Sequence, residues 1–127
     1  AVIEYVSINE SYLWLANVAT GERRLVTPRG GAVPVAYDGA KFSRDGKGLY
    51  VATDRDNEFM RLAYLDLATG AHRYLTTDLA WDVEAFDVAP DGRRFLMARE
   101  TAGSDGRPSR MVLVRNWEAG LAAREKP

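Results

Sequence analysis

Apolar residues in this chain fall in short runs punctuated by glycine, proline, asparagine and aspartate, a pattern that predicts strands and tight turns. The runs repeat. Ala19-Thr20-Gly21-Glu22-Arg23-Arg24-Leu25-Val26-Thr27 aligns with Ala68-Thr69-Gly70-Ala71-His72-Arg73-Tyr74-Leu75-Thr76 at an offset of about 49 positions, with Ala, Thr, Gly, Arg and the closing Thr in register. Phe42-Ser43-Arg44-Asp45-Gly46-Lys47 aligns with Val88-Ala89-Pro90-Asp91-Gly92-Arg93 at an offset of about 46. Asp45-Gly46 and Asp91-Gly92 lie between apolar runs, where glycine supplies the positive φ of a two-residue hairpin. Thr20-Gly21 and Thr69-Gly70 mark two further turns.

A period of roughly 40 to 50 residues is that of a four-stranded propeller blade. With the strands of a blade labelled a to d, the middle unit reads as a near Ala40 to Ser43, b near Gly48 to Thr53, c near Arg61 to Leu67 and d near His72 to Leu75. The first unit starts at b (Val2 to Ile8), followed by c (Tyr12 to Asn17) and d (Arg23 to Val26). The third has a (Val83 to Val88), b (Arg94 to Arg99) and c (Ser109 to Asn116). The predicted architecture is all-β: antiparallel four-stranded blades, about two and a half to three in the chain, forming an incomplete propeller that oligomerisation completes. Residues 1–33 form a blade without its first strand, 34–79 a whole blade, and 80–117 a blade without its last. Residues 118–127 read as a tail of helix-forming composition.

Composition narrows the classes of function. The chain has 127 residues, 46% hydrophobic and 28% charged, enough for one globular unit. Seventeen basic against eighteen acidic side chains leave a formal charge of -1, which gives no footprint for nucleic acid. No apolar run approaches the length of a spanning helix, and Ala1 to Ser7 lacks the basic start of a signal peptide, so a soluble chain without membrane partners is expected. The absence of cysteine excludes disulfides and thiolate sites.

The blade formed by Phe42-Ser43-Arg44-Asp45-Gly46-Lys47, Leu49-Tyr50-Val51-Ala52-Thr53-Asp54-Arg55-Asp56, Leu65-Asp66-Leu67-Ala68-Thr69-Gly70 and Leu75-Thr76 resembles the TolB-like propeller repeat. The same repeat builds the non-catalytic propeller of prolyl-oligopeptidase-family serine peptidases, and Tyr5 to Leu15 is similar to such a propeller. The resemblance implies either a structural module or part of a propeller that restricts substrate access to a catalytic domain outside this chain.

The residues themselves offer no catalytic apparatus. Gly103-Ser104-Asp105-Gly106 lacks the strand-to-helix setting of a nucleophile elbow. His72, the single histidine, reads as a surface strand residue. Asp54, Asp56 and Glu58 alternate like a hard-oxygen calcium set, but Phe59 and Leu65 occupy positions where an EF-hand loop wants Gly and Glu, and a solvated loop is the better reading. No metal or cofactor is implied. Fourteen arginines against three lysines suit exposed ion pairs with the acids. Asn9-Glu10-Ser11 matches a glycosylation acceptor, a motif short enough to arise by chance. The expected function is therefore a non-enzymatic interaction module that works through unpaired strand edges: Val2, Glu4 and Val6 at one end, Met111, Leu113 and Arg115 at the other. The expected partners are further copies of the chain, or another protein or peptide.

Overall fold

The structure, a computed structural model, describes residues 1–99 and the strand 112–114. The described strands form three antiparallel sheets. The first holds β1 (Val2–Ser7), β2 (Glu10–Ala16) and β3 (Arg23–Leu25); the second β4 (Tyr37–Phe42), β5 (Gly48–Thr53), β6 (Arg61–Asp66) and β7 (His72–Tyr74); the third β8 (Ala85–Val88), β9 (Phe95–Ala98) and β10 (Val112–Val114). Each sheet is a meander in chain order, and no helix occurs among the described residues. These are the consecutive blades that the repeat predicts. Met111, Arg115, the Gly103 to Gly106 turn and the 118–127 tail lie outside the described residues.

The aligned residues repeat because each makes the same hydrogen bond in successive blades. In the first, the Asn17 side chain accepts the N–H groups of Ala19 and Thr20; in the second, Asp66 accepts those of Ala68 and Thr69. Gly21 and Gly70 close these turns at φ +76° and +74°, a region closed to most side chains. The closing threonines work inside the sheet: Thr27 accepts the Leu13 N–H and Thr76 the Leu62 N–H, both at 3.0 Å. The Asp-Gly connections are longer than the two residues expected. Ser43 N–H reaches the Gly48 carbonyl around a turn in which Gly46 N–H returns to Ser43, and Ala89, Gly92 and Arg94 repeat the arrangement.

Strand β4 begins three residues before the predicted Ala40. Gly39, at φ +63°, sits in a bulge where the register with β5 shifts between Asp38 and Lys41, which breaks the alternation by which a strand is read from sequence.

Strand β5 is the hub of the core. Every residue from Gly48 to Thr53 is buried, and the pleat sends alternate side chains to opposite blades. Leu49 and Val51 join Leu13, Tyr37, Ala63 and Leu65 between the first and second sheets. Tyr50 and Ala52 join Leu62, Val83, Phe86, Phe95 and Met97 between the second and third. The connecting segments are tied at both junctions. Ser11 N–H donates to the Val35 carbonyl and Ala36 N–H to Asp54; Val83 N–H donates to the Met60 carbonyl and Met60 N–H to Asp82.

Candidate functional site

The first sheet exposes an edge. Among the described residues strand β1 pairs with β2 alone, and none of them lies on its other side in the sheet. Which of its backbone groups face outward follows from the phase of the ladder. Leu13 directs its N–H to Thr27 and its carbonyl to Val26, and Ser11 sends its N–H to Val35, so both residues turn away from β1. Their partners Ile3 and Tyr5 belong to non-hydrogen-bonded pairs and present their N–H and C=O groups to the open side. Val2 and Glu4, opposite Trp14 and Tyr12, turn their backbone groups to β2 instead. The edge is apolar and accessible: Val2 is 51% exposed, Tyr5 73%, Val6 50% and Ile8 81%.

Of the residues expected from sequence, Val2 and Glu4 therefore supply side chains on the outer face, and Val6 sits where the register shifts before the turn. Ile3 and Tyr5, which supply the free backbone groups, were missed. The signal that finds them is the alternation of the β2–β3 ladder, which fixes the phase of β1. At the other end Leu113 of β10 pairs with Leu96 of β9, and β10 is the outermost described strand of the third sheet.

An arginine–aromatic cluster covers the outer face of the first sheet. Glu4 accepts the Trp14 indole N–H at 2.7 Å and forms an ion pair with Arg29 from the inter-blade connection. The Arg29 guanidinium lies 4.3 Å from the Tyr12 ring centroid, a cation–π distance. Hydrogen bonds from Arg29 first, and from Trp14 second, hold the Glu4 carboxyl below the usual carboxylate range. A groove of about 480 Å³ lined by Val2, Glu4, Trp14, Ala16 and Arg23 runs beside the cluster.

A second polar cluster lies at the junction of the first and second sheets. The buried Ser11 hydroxyl donates to the Tyr37 carbonyl and accepts the Tyr37 N–H. The Tyr37 hydroxyl lies 3.0 Å from His72 Nε2, while Nδ1 of that ring faces the Gly70 carbonyl at 3.1 Å. A carbonyl only accepts, so Nδ1 carries the proton and Nε2 accepts from Tyr37. Burial pushes the Tyr37 phenol up to about 12, and burial together with the charge of Arg55 lowers the His72 pKa. His72 is thus half-buried and partnered, not the surface strand residue expected.

The Asp54 to Glu58 carboxylates are not gathered on one centre. Asp54 accepts from Ala36 N–H, and Asp56 accepts from Tyr74 and pairs with Arg55 at 3.3 Å. Among the described residues no group of three potential metal ligands converges. Arginines form the expected ion pairs, and also lie over rings, as Arg61 does 3.8 Å from the Tyr74 centroid.

Among the described residues no helix is long and apolar enough to cross a membrane. No protein-family model and no curated protein matches the sequence. Among solved structures, TolB from Acinetobacter baumannii aligns with a TM-score of 0.62 and 14% identity over 87% of this chain and 26% of that one. An oligogalacturonate lyase in complex with manganese aligns with a TM-score of 0.51 and 20% identity over 98% of this chain and 30% of that one. The chain spans between a quarter and a third of the length of these structures. It therefore has the fold of a segment of a TolB-like β-propeller.

Proposed function

We propose that the chain is a non-enzymatic propeller segment, a structural and interaction module that associates through the open edges of its sheets. One observation carries this reading. Strand β5 is flanked on both sides and buried throughout, whereas β1, the strand predicted to hold the same place in its blade, has a side that no described residue pairs and exposed Val2, Tyr5 and Val6. A long apolar edge with free backbone groups is a template for strand addition. The non-enzymatic part is supported by His72, the single histidine of the chain, whose two ring nitrogens are engaged by Gly70 and Tyr37.

The test is the solution mass of the chain by light scattering across a tenfold dilution, for the wild type and for a double Ile3→Pro, Tyr5→Pro variant. Proline there removes only outward N–H groups and is tolerated on an edge strand, so the β1–β2 ladder survives. Association above 14.1 kDa that falls about tenfold in the variant, while its circular dichroism is unchanged, is the expected result. A wild type that keeps the mass of one chain at every concentration overturns the reading.

A further inference from the structure

We draw no further inference here: the strongest candidate, the cleft of about 610 Å³ between the second and third sheets that Arg44, Arg73 and Arg93 line beside the Asp45-Gly46 and Asp91-Gly92 turns, carries nothing, because its guanidiniums belong to exposed side chains that share the cleft with the Asp45 and Asp91 carboxylates, and nothing in the structure shows what covers it or points to a ligand.

Discussion

Replacing Thr27 by Val tests whether the repeated threonine is held by its hydroxyl or by its shape. Thr27 is 2% exposed, and its hydroxyl is the acceptor for the N–H of Leu13, itself fully buried. Valine has nearly the same volume, so the cavity contribution is small and the dominant effect is an N–H buried without a partner. That costs about 1–3 kcal/mol. With a urea dependence of about 1–3 kcal/mol per molar, a loss in the middle of that range lowers the unfolding midpoint by roughly 1 M. Hydrogen exchange supplies the local readout: the Leu13 amide should lose protection in Thr27→Val and keep it in Thr27→Ser, which retains the oxygen and gives up a methyl. A Thr27→Val protein within about 0.5 kcal/mol of wild type, with the Leu13 amide still protected, would refute the reasoning.

Thr76→Val should act in the same way on Leu62, but by less, because Thr76 is only half-buried. Gly48→Ala should destabilise by about 1–3 kcal/mol, since a Cβ there would lie 2.2 Å from the Tyr64 ring, which Tyr50 flanks edge-on and the Arg73 guanidinium overlies. On a Tyr64→Leu background most of that cost should vanish in a urea-unfolding double-mutant cycle. Stability should fall as pH drops through the ordinary histidine range near 6.5 toward the lower folded value of His72. The unfolded chain takes up the proton first there, and protonated Nε2 no longer accepts from Tyr37. Thermal melts from pH 7.5 to 5.5 should show the slope in wild type and a smaller one in His72→Leu. At the other end, stability should decline as pH rises from about 10, where an unfolded tyrosine ionises, toward the value of about 12 for Tyr37, and Tyr37→Phe should flatten that limb.

The repeat was legible because its bonds demand particular residue types. Only a hydroxyl at Thr27 and Thr76 reaches the strand amide, and only glycine sits without strain at the φ of Gly21 and Gly70. Short-range chemistry of this kind leaves its spacing in the sequence. What was not legible depends on contacts between distant positions. The bulge at Gly39 gives that residue a positive φ and brings it against the Phe86 ring of the third sheet, and both favour glycine within β4. Arg29 reads as one charge in a glycine-rich loop until Glu4, Tyr12 and Trp14 are placed beneath it. His72 looks exposed at the start of a short strand, and its partner Tyr37 comes from the opposite edge of the same sheet. At the edge itself, the repeat placed β1 as the first strand of its sheet among the described residues. Which residues carry the free donors required the phase of a ladder one strand away, and a slip of one residue would exchange Ile3 and Tyr5 for Val2 and Glu4.

Which edges meet also decides whether association stops. Pairing β1 with the β10 edge of another copy leaves one β1 and one β10 free at every step, so mass grows with concentration until a ring closes. Two-fold pairing uses β1 in both copies at once and leaves no β1 edge to recruit a third. The blades have little freedom to alter this. Ser11–Tyr37 and Ser11–Val35 fix the first sheet on the second, while Met60–Val83 and the 3.7 Å Lys41–Asp87 pair fix the second on the third. A mass distribution that rises from 14.1 kDa and levels at twice that value, with no larger species at the highest concentration, is therefore the signature of the two-fold edge. Ala89 N–H donates to the Arg94 carbonyl, which turns Phe95 and Met97 toward Val114 and Val112 and leaves the Leu113 backbone groups facing outward, so a series of higher multiples that disappears on Leu113→Pro substitution in β10 would assign the association to head-to-tail contacts instead.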